Sequence, residues 1–174
     1  MTTPAETLQR MIVGDLGAEL RASEVFRGQA WIEVAPEAVA GVCRRLRDST
    51  DLAFTRLAAL TAVDHWPAEP RFELVYQLYS FPHQAFLGLR AFVAGETAAL
   101  DSLEPVFPNA VWHEREVLDM FGIQFHGLSD PRRILMPHDW VGHPLRKDYP
   151  LGYEEVQFSF NAREIDRRKP YAAE

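Results

Sequence analysis

Phe72-Glu73-Leu74-Val75-Tyr76-Gln77-Leu78-Tyr79-Ser80-Phe81 alternates apolar and polar side chains and is rich in aromatics, the pattern of a half-buried strand. Pro82-His83 breaks the run, and Phe86-Leu87-Gly88-Leu89-Arg90-Ala91-Phe92-Val93 resumes it, which predicts an antiparallel hairpin. Upstream, Ala30-Trp31-Ile32-Glu33-Val34 reads as a short strand. Residues 52–64, rich in Leu, Ala and Thr, read as a buried strand region, and Trp66-Pro67-Ala68-Glu69-Pro70 as a turn. Pro36 opens a helix through about Arg47, with Val39, Val42, Cys43 and Leu46 on one face. Residues 4–21 space Leu8, Met11, Ile12, Leu16 and Leu20 by three and four, which predicts an amphipathic helix weakened near Gly14 and Gly17. Downstream, Glu96 to about Phe107 has helical character. A helix from Trp112 to Phe121 follows, and Gly122 closes it as a left-handed cap.

After Gly122 the pattern changes. Pro131, Pro137, Pro144 and Pro150 punctuate residues 123–150, with Gly127 and Gly142 between them. Proline fixes φ and removes a donor, so neither a long helix nor a central strand fits here. The segment still keeps Ile123, Phe125, Ile134, Leu135, Met136, Trp140, Leu145 and Tyr149, more large apolar groups than a disordered linker carries. An extended arm packed against its own domain or against another chain accounts for both facts. The division that follows is a globular domain over 1–122 and an extended, irregular C-terminal arm and tail over 123–174. The tail from Asn161 is polar and reads as a terminal helix or a frayed end.

The chain has 174 residues, 47% apolar and 25% charged, enough for one domain with a real core. Its formal net charge of -7 argues against electrostatic binding of nucleic acid. The charge is uneven. Residues 1–111 carry 14 acids and 9 bases, whereas 112–171 carry 10 acids and 9 bases and are dense in both signs. Arg outnumbers Lys 16 to 2. Forked guanidinium bonds suit a polar protein contact, although genome composition would give the same ratio. Cys43 is the only cysteine, which excludes an internal disulfide and a thiolate-built zinc or iron–sulfur site. No stretch approaches the roughly 18 apolar residues of a membrane span, and the N-terminus lacks the features of a secretory signal.

Three charged constellations fall near the arm. In His113-Glu114-Arg115-Glu116-Val117-Leu118-Asp119-Met120-Phe121, Arg115 and Asp119 are four apart and predict an ion pair on one helix face. Either the helix end presents charge to a partner, or this is an ordinary solvated face. Asp130-Pro131-Arg132-Arg133-Ile134-Leu135-Met136-Pro137 and Asp139-Trp140-Val141-Gly142-His143-Pro144-Leu145-Arg146-Lys147-Asp148-Tyr149-Pro150 interleave charge with apolar groups between prolines. That suits a stiff strap whose preorganised backbone lowers the cost of docking, or a structured loop on the protein's own surface. His113, His126, His138 and His143 lack the spacing of metal ligands. No dinucleotide fingerprint, phosphate loop or Gly-x-Ser-x-Gly elbow is present, which speaks against NADH binding on this chain.

Taken together, Glu114-Arg115-Glu116, Asp119, Met120-Phe121, Gly122-Ile123, Arg132-Arg133-Ile134-Leu135 and the run from Gly142 to Pro150 closely resemble the 30-kilodalton subunit family of respiratory complex I, whose bacterial members carry the letter C. The match is strong over about 110–158. Over 30–110 only the order of elements is compatible. The chain departs from the family at Leu128, where a basic residue usually precedes the Arg-Arg turn. The resemblance implies an α+β fold, a mixed sheet flanked by helices with an extended arm. It implies a non-redox peripheral-arm subunit of a proton-translocating NADH:quinone oxidoreductase, on the cytoplasmic face of a bacterial plasma membrane and held there by other subunits. The arm would lie against the subunit designated D in complex I, which forms the quinone pocket together with the one designated B. No flavin, cluster or metal would sit on this chain; flavin and iron–sulfur clusters would lie on its partners. No catalytic residue is implied, and Glu114, Arg115, Glu116, Asp119, Arg132, Arg133, Arg146, Lys147 and Asp148 are candidates for structural and interface roles. The alternatives are the equivalent subunit of a photosynthetic NDH or membrane-bound hydrogenase complex, a free-standing His/carboxylate metalloenzyme, and a soluble adaptor unrelated to respiration.

Overall fold

A computed structural model describes residues 3–96 and 98–150, together with Arg163, Glu164 and Arg167. The expectation for the tail from Asn161 therefore falls almost wholly outside the described residues. The hairpin expected over 72–93 is present as β4 (Phe72–Ser80) and β5 (Ala85–Val93), paired antiparallel from Phe72↔Val93 to Ser80↔Ala85. β3 (Arg56–Asp64) lies antiparallel to β4, and β2 (Gln29–Val34) runs parallel to β5. β1 (Leu20–Phe26) joins β2 antiparallel, which gives a five-stranded mixed sheet ordered β1-β2-β5-β4-β3.

Strand alternation decides which face is buried. Ile32, Leu74, Tyr76, Leu78, Leu87 and Leu89 point to one side and are fully shielded. On that side they meet α1 (Pro4–Leu16) through Leu8, Ile12 and Leu16, and α2 (Val39–Asp48) through Val42, Cys43 and Leu46. α3 (Ala110–Phe121) adds Val117, Met120 and Phe121 to the same continuous cluster. The helices thus flank one face of the sheet. α1 starts where the sequence allows it: Thr3 accepts from the Glu6 amide while Glu6 accepts from the Thr3 amide, a capping box with Pro4 in the first turn. On the other face, Trp31 lies so closely over Gly88 that a Cβ there would come within 2.3 Å of the indole. Gln29 donates to Gln77 at 2.7 Å on the same face.

Several local expectations need correction. The first helix ends at Leu16, where Gly17 turns the chain with φ of +32°, and the unforeseen strand β1 follows. The helical character expected over 96–107 is not realised. Residues 98–107 form the short strand β6 (Ala99–Asp101) and a turn, because Pro105 disfavours a helical residue before it and the buried Glu114 captures this segment's donors. β6 pairs in parallel with β7 (Gln124–His126), so the chain is still stitched to the domain just beyond Gly122. The third helix begins at Ala110 and ends as expected, with Gly122 left-handed at φ of +73°.

Candidate docking strap

Residues 127–150 run as an irregular strap beside the end of α3, and the domain holds them at two clasps. The first is Asp119, whose side chain is fully buried. Its Oδ2 accepts the backbone amides of Ile134 (3.1 Å), Leu135 (2.8 Å) and Met136 (2.9 Å), while Arg133 Nη1 donates to Oδ1. Burial opposes ionisation here, but these donors outweigh it and keep the carboxyl below its ordinary range. The expected Arg115–Asp119 pair is therefore not made. Arg115 instead donates to the carbonyls of Arg132 (2.9 Å) and Arg133 (3.0 Å) and sits 3.3 Å from Asp130. The physical reason is competition: three amides and a guanidinium solvate Asp119 better than one helix neighbour could.

A helix leaves its last carbonyls without internal partners, and here the strap supplies them. His143 Nδ1 donates to the Asp119 carbonyl at 3.0 Å, the Leu145 amide to Met120 at 3.1 Å, and Arg146 Nε to Phe121. Arg133 and Arg146 also bring positive charge to the negative end of the helix dipole. The close approach depends on Gly122, since a Cβ there would meet His143 Nε2 at 2.5 Å and Arg146 Nη2 at 2.7 Å. Arg133 reaches on to the carbonyls of Trp140 and Gly142, both at 3.0 Å, and so ties the middle of the strap together.

The second clasp lies at the β3–β4 turn. Asp64 and Arg71 are both buried, with Arg71 Nε and Nη2 donating to Asp64 at 3.1 and 3.0 Å. Asp64 also accepts the Lys147 amide at 2.9 Å, and Arg71 Nη2 donates to Asp148 at 2.7 Å. Burial raises the Asp64 pKa, but bonds from Arg71, Lys147 and Trp66 overcome it and bring it to about 2. Arg71 and Arg146 both lie over the ring of Phe72, at 4.9 and 5.5 Å from its centroid. Burial lowers the Arg146 pKa, and the neighbouring Arg71 charge adds to the effect.

Of the residues singled out from sequence, Glu114, Arg115, Asp119, Arg133 and Arg146 thus turn inward, and Asp148 joins the clasp. Glu114 is fully buried and accepts from Ser102 Oγ and the Leu103 amide, both at 2.6 Å, and burial raises its pKa. Glu116 and Arg132 face solvent, Arg132 bound to Asp130, while Lys147 contributes only its backbone to the clasp. Sequence reasoning missed Asp64 and Arg71. Leu128, the departure from the family pattern, packs against the core together with Met136. On the strap Leu135 (61%), Val141 (84%) and Leu145 (54%) are exposed beside the exposed Arg132 and Lys147, and Trp112 of α3 is also exposed. Among the described residues no three His, Cys, Asp or Glu side chains come together to hold a metal ion, and no helix is long and apolar enough to cross a membrane.

The fold and the site define an α+β protein that holds a proline-stiffened strap by two clasps. The family model of the respiratory-chain NADH dehydrogenase 30 Kd subunit matches residues 32–155, and the chain belongs to that family. The NADH-quinone oxidoreductase subunit lettered C from Roseiflexus sp. (strain RS-1) is 46% identical over 170 residues, covering 98% of this chain and 97% of its own. The protein of the same name from Geobacter sulfurreducens (strain ATCC 51573 / DSM 12127 / PCA) is 48% identical over 127 residues, 72% of this chain and 77% of its own. Among solved structures, the trypsin-resistant fragment (1-134) of Nqo5 superposes with a TM-score of 0.58 at 26% identity, over 71% of this chain and 98% of that one. A chain of the membrane-bound sulfane sulfur reductase, an archaeal respiratory membrane complex, gives 0.68 over 97% of this chain and 95% of that one. At 21% identity, the latter likeness speaks to the fold alone.

Proposed function

We propose that this chain is the non-redox peripheral-arm subunit of a proton-translocating NADH:quinone oxidoreductase and that its strap docks on the quinone-site subunits, those designated D and B in the family. Family membership supports the complex. The observation that carries the docking reading is the two-sidedness of the strap: Arg133, Arg146 and Asp148 bind its own domain, while Leu135, Val141 and Leu145 are left facing outward. Exposed apolar side chains on a stiff backbone gain by burial against a neighbour and lose little entropy in doing so. Flavin and iron–sulfur clusters belong, in this reading, to partner chains. The chain is held at the cytoplasmic face of the membrane by those partners. In this reading residues 1–122 are the globular domain and 123–174 the arm, with β7 as the join between them.

The test is Leu135→Glu with Val141→Glu in the full chain, expressed with the whole complex. The variant chain should be lost from the purified oxidoreductase, and quinone reduction should fall with it, while the isolated chain stays folded. Retention of the chain at full occupancy with normal quinone reduction would sink the docking reading.

A further inference from the structure

We propose that Asp64 and Arg71 are positioning residues for assembly: from the β3–β4 turn they hold the strap's far end in its docking conformation and so set the chain's affinity for its neighbours without touching them. The inference rests on the docking reading above and deepens it. Arg71 and Asp148 are 77 positions apart and Asp64 and Lys147 are 83, so these bonds fix a long-range register that no local preference of the strap could supply.

The burial of the pair points the same way. The Asp64 and Arg71 side chains are only 1% and 3% exposed. A buried ion pair is a poor device for stability alone, because desolvation of both charges offsets most of their attraction and apolar replacements often do as well. Its better-attested use is to specify one arrangement among several. Here the arrangement is specified by what the pair leaves available. Asp64 uses two acceptor positions on Arg71 and one on the Trp66 amide, and a further one faces the Lys147 amide. Arg71, already committed to Asp64 through Nε and Nη2, shares Nη2 with Asp148. Only a strap seated with Lys147 and Asp148 in this register completes both sets. Arg146 of the same run lies over Phe72 beside this node and donates to the Phe121 and Glu96 carbonyls. A strap freed at this end would keep the Asp119 clasp and the bonds of residues 143–146 to the end of α3, but would sample many positions from Lys147 onward, and docking would have to order it again.

The test is competition in the cell. A tagged variant chain and an equally expressed unmodified chain are made together with the other subunits, and their ratio in the purified complex is measured. Hydrogen exchange of the free full-length chain is followed in parallel. Arg71→Ala would strand Asp64 and risk the fold, so the informative variants are Asp148→Asn, which cuts only the strap side, and Arg71→Lys, which keeps the charge but loses the fork. Both should be under-represented by about tenfold or more, the lower end of what one charge-assisted hydrogen bond is worth. Amides of residues 147–149 should exchange faster by a similar factor, those of β4 and β5 remaining far slower, and Asp148→Glu should return toward parity. Parity for Asp148→Asn overturns the proposal whatever the exchange shows. So does exclusion without faster exchange, since Asp148 would then be acting on the partner directly. Leu135→Glu with Val141→Glu, run in the same competition, separates the two readings: if it too stays at parity the docking reading fails, and if it alone is excluded only the positioning role falls.

Discussion

Replacing Asp119 by Asn tests the first clasp with almost no change of shape. The carboxylate accepts three backbone amides on one oxygen and a guanidinium on the other. An amide side chain must give up one of the two sides. Kept facing residues 134–136, its oxygen still accepts three neutral donors, but its NH2 meets the Arg133 donors head-on. Turned round, it satisfies Arg133 and opposes three amides. The first choice is cheaper. It loses one charge-assisted bond, about 1.5–3 kcal/mol, and weakens three others by removing the charge, so about 3 kcal/mol is expected in all. That figure should appear as easier opening of the strap, since the strap can lift while the sheet stays closed. Hydrogen exchange of the full-length chain at neutral pH is the assay: the amides of Ile134, Leu135 and Met136 should exchange roughly a hundredfold faster, the factor that corresponds to about 3 kcal/mol. The native state loses the same amount against global unfolding, so the melting temperature should fall by roughly 6–12 °C, and amides of β4 and β5 that exchange only through global unfolding should quicken while staying far slower than those of the strap. Unchanged exchange at 134–136 would refute the clasp. Strap amides that exchange no faster than those of β4 and β5 would refute its independence from the domain.

Gly122→Ala should loosen the strap more than Gly127→Ala does, because both glycines are left-handed but only at Gly122 would the new Cβ strike His143 and Arg146; the backbone penalty of roughly 1–2 kcal/mol is common to both, so the difference in urea midpoint reads the packing. The pKa of Asp64 is depressed on folding, so its contribution is complete above the ordinary value of 3.8 and disappears as pH falls through the folded value of about 2. Denaturation from pH 7 downward should show a loss of roughly 2 kcal/mol from this group between about pH 4 and 2, steepened by Asp119 and Asp148, which shift the same way, and a stability unchanged over that range would contradict the clasp. Gly88→Ala should displace Trp31 from the open face of the sheet, seen as a changed indole fluorescence with the strap's exchange rates untouched.

The hairpin of β4 and β5 was legible because β4 alternates over nine residues and a second apolar, aromatic run follows a Pro-His break, and α3 because its apolar spacing ends at a glycine. β1 was not legible. It is an edge strand on a sheet with one open face, so none of its residues is fully buried and no alternation marks it. β6 has only three residues, and the helical composition around it was overridden by tertiary bonds to Glu114 that lie beyond any local window. The parallel pairing of β2 with β5 joins segments more than fifty positions apart, and nothing in either segment specifies that register.

The strap shows a different limit. Its residue types were readable, but sequence cannot say whether a charge is answered within the chain or by a neighbour. Asp119 looked like half of a surface pair with Arg115, yet it caps a nest of three amides 15 to 17 positions away. Once such charges are answered internally they cannot also be the main attraction for a partner, because a buried carboxylate with four donors has little left to offer. The division of labour follows from the solvent. Charged groups that are already desolvated and paired within the free chain incur no second desolvation on docking, whereas Leu135, Val141 and Leu145 gain only when water leaves them. An arm built this way is stiff before it meets its partner, and the residues that make it stiff include Asp64 and Arg71, which lie outside the arm and carry no motif that ties them to it.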